Sequence, residues 1–309
     1  MRRSAEMMTA LSLTVLTGFC FASIAMILSR IARKPISSFQ FFTMSNLLAA
    51  AAAWIMLPDW TLAAEIHWPK VLLITASSGL VNAASQAAFV CSLKWGHNGL
   101  SAAIRNSASM ISMFFALIFL HEKVSPINLS GVVLVILSLG VIAIFGKKNT
   151  ISSDLKKWIP ATICSLVFSG ANQCLLTATV LLPESNRKAG VIIPCLLTFC
   201  GLGNLLAAGF ESLHKKDTPT FFRFDPEVWK VLFCWSGIAL LQYFILIRGL
   251  EAMRQVGMAS MAWPILICIN ILTFSVFCRI RWREKYPVTT ILGMIGCVAG
   301  LIMIIWGRK

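Results

Sequence analysis

Arg105 is the residue of this chain with the most to do chemically. It lies nine residues into a run, 96–120, that otherwise contains no Asp, Glu, Lys or Arg. If the run is helical, the guanidinium sits about 14 Å from its end, at 1.5 Å per residue. A cation that deep in hydrocarbon costs about 2.5–3.5 kcal/mol on insertion scales, so it needs a cavity or a partner. None of the 12 acids falls in the central part of an apolar run; Glu184 and Glu251 sit at run ends. Two uses are open to Arg105. Its planar donor fork can bind an anionic group on a small molecule, a carboxylate or a phosphate. Alternatively it is structural, bonded to backbone carbonyls and a helix end.

Other polar residues recur at helical spacing. Ser101, Arg105, Ser109 and Ser112 follow steps of four, four and three, one stripe of a helix. Asn82 and Gln86 are four apart in another apolar run, as are Ser169, Gln173 and Thr177 in a third. Asn204, Gln242, Tyr243 and Asn270 add groups to three more runs. A single Ser or Thr in such a place is most simply interhelical glue, worth about 0.6 kcal/mol on average. Asn82, Gln86, Asn172, Gln173 and Gln242 together point to a wetted cavity. Trp235, Tyr243 and Trp263 are either walls for an organic solute or core and interface anchors.

The elements that must hold these residues are membrane spans. The chain has 309 residues, of which 58% are hydrophobic and only 13% charged, with a mean hydropathy of +0.80. A soluble domain has about 45–50% and 25%. Charge-free runs cover 7–29, 35–58, 71–93, 124–146, 158–183, 189–210, 231–247, 255–278 and 286–307; with 96–120 they make ten. About 20 apolar residues span a bilayer as helix. The run at 231–247 is the shortest, and reaches Glu251 if Arg248 extends toward the interface. Arg2 and Arg3 before the first run could open a signal peptide, but that run is long for one, and we read it as the first span. A β-barrel would show short alternating segments instead. The expected class is an all-α integral membrane protein, a bundle embedded in the lipid bilayer, with no soluble domain between spans.

Several chemistries are excluded. The net charge of +15 sits between apolar runs, where lipid headgroups and topology explain it better than nucleic acid. The ten cysteines show no C-x-x-C pair and read as small packing residues. No metal site or cofactor motif is visible: there is no H-E-x-x-H, no Walker loop and no cluster of His and Asp. An enzyme in the membrane would need such a constellation. The four histidines lie near run ends and no mid-run carboxylate exists, which argues against a proton symporter with a carboxylate relay.

The chain also repeats itself. One segment reads His121-Glu122-Lys123, with Gly131 nine residues after Glu122; a later one reads Arg283-Glu284-Lys285, with Gly293 nine after Glu284. The preceding helices match too, Leu100-Ser101-Ala102-Ala103 after Gly99 against Met258-Ala259-Ser260-Met261 after Gly257. Two units, 7–146 and 158–307, then have five spans each. An odd number makes the second enter the membrane upside down, the inverted repeat of many secondary transporters, with the solute site near the midplane. Pro194 and Pro264 lie inside spans as hinges. The glycines of the last span, 296 and 300 among them, suit close packing.

These halves, each ending in Glu-Lys and a Gly-rich last helix, resemble the drug/metabolite transporter superfamily, and within it the EamA family of bacterial ten-helix metabolite transporters. The resemblance implies a multi-pass protein of the bacterial inner membrane, a monomer or weak homodimer, carrying small organic metabolites without ATP by alternating access or exchange. Family members often carry a proline midway along the fourth helix; Pro264 holds that place in the second half, while the first half has Arg105-Asn106-Ser107. With Arg105 in the cavity, the expected solute is anionic or zwitterionic. The alternative is a multidrug exporter of cations from the same superfamily, which would want the buried acid that is missing. Basic residues are more frequent in the loops after the odd-numbered spans, which places both termini outside by the positive-inside rule. The family pattern places both inside.

Overall fold

A computed structural model describes residues 2–31, 37–56, 66–95, 101, 104–122, 124–145, 155–214, 225–282 and 287–307. Among them there is no strand. The helices are α1 (Arg2–Ile31), α2 (Ser38–Met56), α3 (Trp68–Trp95), α4 (Ser109–Phe119), α5 (Pro126–Phe145), α6 (Leu155–Ala178), α7 (Ala189–His214), α8 (Pro226–Gln255), α9 (Ala259–Trp282) and α10 (Val288–Trp306). All except α4 and α5 are long and apolar enough to cross a membrane; these two form the shorter apolar stretches Ile104–Phe119 and Pro126–Val141.

Two spans differ from the charge-free runs. α8 is 30 residues long, extending past the charge-free run 231–247 on both sides and beyond the Glu251 that an outward-reaching Arg248 allows. Glu227 and Lys230 lie in its first turns, and Arg248 is exposed with its guanidinium 4.6 Å above the Phe244 ring. Long charged side chains reach polar surroundings while the backbone stays helical, so a charge need not end a span. The run around Arg105 is the second case. Residues 104–106 are helical, Ser107 and Ala108 form a turn, and α4 starts at Ser109. Here Ser107 N–H donates to Ile104 O (3.2 Å) and Ala108 N–H to Arg105 O (3.1 Å). These i to i+3 bonds tighten the helix locally, in the manner of a 3₁₀ turn.

Helix contacts run mainly between the chain's two halves. α5 packs on α10, α2 on α7 and α4 on α9; α3 packs on α6 and α7, α8 on α1 and α2, and α1 and α6 on α9 and α4 respectively. Exchanging each of the first five helices with the one five places later returns these principal pairings, while the weaker contacts of α8 with α7 and α9, and of α9 with α5 and α10, have no such match. Lipid gives no hydrophobic drive to join helices, so close van der Waals fit must do it. Glycine supplies the fit. Gly131 on α5 and Gly300 on α10 face each other so closely that a Cβ on either would stand 2.7 Å from the other's carbonyl oxygen. A Cβ on Gly79 of α3 would stand 2.6 Å from the Phe199 backbone of α7.

Hydrogen bonds at the helix ends define two rims. At the first, His67 N–H before α3 donates to Asn186 Oδ1 before α7 (3.0 Å). Arg254 near the end of α8 donates to Val180 O just after α6. Ser125 Oγ at the start of α5 donates to Gly307 O after α10 (2.6 Å). At the second, Ser37 Oγ before α2 donates to Glu211 near the end of α7.

Candidate functional site

The middle of the bundle is organised along α3. Asn82 lies halfway along that helix, and Gln86 and Phe89 follow at steps of four and three, on one stripe. Asn82 Nδ2 donates to Cys200 Sγ of α7 (3.5 Å). Tyr243 of α8 packs beside the same thiol. Three helices, two from the second half, thus meet at one sulfur near their midpoints. Asn82 and Tyr243 are half-buried. Gln242, next to Tyr243, is buried, and its Oε1 has no partner. Gln86 Oε1 is likewise buried and unpartnered. Two such amide oxygens are groups a bound molecule or water could satisfy, because a buried acceptor left alone is costly.

Phe89 carries the stripe to Arg105. The guanidinium lies 4.5 Å from the centre of the Phe89 ring, a cation–π arrangement. Arg105 is half-buried, and no carboxylate among the described residues pairs with it. The aromatic face partly compensates the charge while leaving the planar N–H donors available. From Asn82 to Phe89 the stripe is about 10 Å long, at 1.5 Å per residue.

A second polar chain connects α3, α4, α6 and α9. Ser78 Oγ donates to Asn172 Oδ1 (2.7 Å) and Ser112 Oγ to Gln173 Oε1 (3.2 Å). Trp263 Nε1 donates to Thr177 Oγ1 (3.0 Å), which donates to the Gln173 carbonyl (2.8 Å). Ser101 Oγ accepts from Trp158 Nε1 (2.8 Å), and Ser109 Oγ donates to Asn106 O (3.2 Å). Asn172, Gln173, Trp263, Ser101 and Ser109 are therefore held by protein partners in this structure. Trp235 packs edge-on against Phe41, with ring centroids 6.2 Å apart. The structure brings Asn82, Tyr243 and their neighbours Gln86 and Gln242 to the middle, and Arg105 to the end of the same stripe.

Three contributors lie outside the sequence reading. Cys200 was one of ten cysteines with nothing to mark it. Phe89 carried no polar signal. Glu122 was legible only as a repeat marker, yet its carboxylate spans the halves: it accepts from Ala259 N–H (2.6 Å), Ser260 N–H (2.9 Å) and Ser260 Oγ–H (2.5 Å). These are free donors of the first turn of α9, where the helix dipole also favours a negative charge. His121, in the left-handed region at φ 51°, turns the chain so that Glu122 reaches them. Among the described residues no group of three or more His, Cys, Asp or Glu could hold a metal ion.

The chain was compared with known proteins. No curated protein matches the sequence. A solved crystal structure, titled simply as that of a protein, superposes with a TM-score of 0.71 over 95% of this chain and 95% of its own, at 11% identity. That likeness is one of fold. Residues 8–145 match the family model described as the EamA-like transporter family. The matched segment holds Asn82, Gln86, Phe89, Arg105 and the Glu122 motif. By this match the chain is similar, over residues 8–145, to the EamA-like transporters of the drug/metabolite transporter superfamily.

Proposed function

We propose that the protein is a secondary transporter of small anionic or zwitterionic metabolites, bearing a carboxylate or phosphate, and that it works without ATP by alternating access or exchange. The observation that carries the reading is Arg105, a guanidinium set over Phe89 with no acid partner among the described residues, at one end of the Asn82–Gln86–Phe89 stripe. A solute anion bonded to Arg105 could lie along the stripe toward the open amide oxygens of Gln86 and Gln242 and the Asn82–Cys200–Tyr243 junction. The other candidate residues, Ser101, Ser109, Asn172, Gln173 and Trp263, then form the wall that keeps this path in register.

The architecture proposed with it is a pair of inverted five-helix units, 7–146 and 158–307, in a bacterial inner membrane. Two observations support this. The principal helix pairings, α5 with α10, α2 with α7, α4 with α9, α3 with α6 and α7, and α8 with α1 and α2, are unchanged by exchanging the halves. In addition, α3 and α7 start at the same rim, whereas their counterparts α8 and α2 end there: Glu251 of α8 pairs with Arg187 just before α7 (3.0 Å), and Met56 at the end of α2 shares a crevice with Lys188. Binding at the junction of such units is how many carriers expose a site to each side in turn.

The test is uptake of candidate metabolites into proteoliposomes by the native chain, Arg105→Lys and Arg105→Ala. Arg105→Ala abolishes uptake while the protein stays folded, and Arg105→Lys retains a fraction, because the point charge remains without the fork. A thermal-shift screen supplies the solute: anionic and zwitterionic metabolites raise the unfolding temperature and lipophilic cations do not. Undiminished transport by folded Arg105→Ala protein would remove the reading.

A further inference from the structure

α3 and α7 run in the same direction and stay in step. The touching pairs His67–Asn186, Asn82–Cys200 and Ala83–Gly203 are 119, 118 and 120 positions apart, from the first rim to the middle of the bundle. The same separation pairs Gln86 with Asn204, each four residues on from Asn82 and Cys200. Gln86 Oε1 and Asn204 Oδ1 are both buried and unpartnered. Asn204 is 0% exposed, and its Nδ2 donates to Cys200 O (2.8 Å), which leaves the oxygen as the free end of its amide. Two acceptors without a donor thus stand at one level of the α3–α7 seam. A buried acceptor left alone is costly, and two call for a group with at least two hydrogens to give.

Arg105 narrows what that group is. Gln86 precedes Phe89 by three residues, about 4.5 Å of helix rise, and the Arg105 guanidinium lies 4.5 Å from the Phe89 ring centre. A free cation on two neutral oxygens would be repelled by that guanidinium. A solute anionic at both ends would set lone pairs against lone pairs at the oxygens. A solute whose anion meets Arg105 and whose ammonium meets the two oxygens alternates the charges along the stripe, and its –NH3+ brings three donors. We propose that Gln86 and Asn204 receive a primary ammonium group, so that the solute is a zwitterion rather than a simple anion. This rests on the reading of Arg105 as the partner of the solute's anion, and it makes Gln86 and Asn204 the residues that choose the other end.

The experiment is thermal-shift titration of the full-length protein in detergent with matched solutes. The amines are alanine, γ-aminobutyrate and phosphoethanolamine. Each is paired with its hydroxy form (lactate, γ-hydroxybutyrate, 2-hydroxyethyl phosphate) and its trimethylated form (alanine betaine, γ-butyrobetaine, phosphocholine). The amine of the best-fitting set binds about tenfold more tightly than its hydroxy form, which lacks the charge, and than its trimethylated form, which keeps the charge without an N–H. Gln86→Met and Asn204→Leu each weaken the amine about tenfold and leave the hydroxy form unchanged, a split that mere loss of stability would not produce. Equal binding of the three forms, or no binding by any of the amines, overturns the proposal. So does an amine preference that survives both substitutions, since water rather than solute would then fill the gap. A shift with sodium chloride but not choline chloride that Gln86→Met removes overturns it as well, by making the site one for a free cation. If either variant fails to fold, the three solute forms on the native chain still decide. Arg105→Ala separates the two readings: undiminished amine binding there removes the anion end itself, whereas loss there with no amine preference in the native chain removes only the ammonium end.

Discussion

Replacing Glu122 by alanine removes the acceptor for two backbone amides and a hydroxyl at the start of α9. Ala259 and Ser260 are each 1% exposed, so water cannot readily take the place of the carboxylate. A hydrogen bond to a charged group contributes about 1.5–3 kcal/mol, but Glu122 itself is half-buried and regains solvation when unfolded, so we expect a total loss of about 2–4 kcal/mol for the three. Glu122→Gln keeps one carbonyl oxygen and loses the charge at the helix N-terminus, and should cost roughly half as much. For a chain of this size ~2–4 °C per kcal/mol puts the fall in unfolding temperature for Glu122→Ala at roughly 4–16 °C. The assay is thermal unfolding of the purified protein in detergent, with hydrogen exchange read at the amides of residues 259 and 260. Those two amides should exchange faster in both variants, and fastest in Glu122→Ala. An unfolding temperature within about 1 °C of native, with exchange there unchanged, would refute the cap and the energy assigned to it.

Three further substitutions test the packing and the stripe. Gly131→Val forces a branched side chain onto the Gly300 carbonyl and should cost about 1–3 kcal/mol or part α5 from α10, seen as a lower unfolding temperature; native-like stability would mean the seam is looser than described. Trp263→Phe removes the donor to Thr177 but keeps a ring, and should shift stability by only about 0.6 kcal/mol; failure to fold would show that the bond is structural. Tyr243→Phe takes the hydroxyl from Cys200 at the junction of α3, α7 and α8, and should leave yield and unfolding temperature near native while changing which solutes are taken up. An unchanged uptake profile would move the path away from that junction.

The spans were legible because lipid imposes one rule on every residue of a crossing helix, and a run without charges reports it. The rule alone understates α8: Arg248 and Lys230 end a charge-free run without ending a helix, which the reach of Arg248 anticipates at one end and nothing anticipates at the other. It also could not foresee the tightened turn at 104–108, where the distinction between i+3 and i+4 bonding leaves little trace in residue types. The site was legible in part. Asn82, Gln86 and Gln242 were marked by polarity in apolar surroundings. Cys200 and Phe89 look like packing residues until the helices are placed, because which side chains converge depends on crossing geometry between distant segments. Glu122 was seen, but as a mark of duplication; its partner is 137 positions away, and no local spacing encodes that.

The pairing of helices across the halves has a consequence for how the chain is made. As α1 to α5 leave the ribosome, their principal partners have not yet been synthesised. The first five must wait in the bilayer with their glycine-lined faces against lipid, a delay as long as the translation of α6 to α10. Cutting the chain between α5 and α6 and producing both fragments in one cell would then reconstitute the protein, whereas either fragment alone would meet the quality-control proteases.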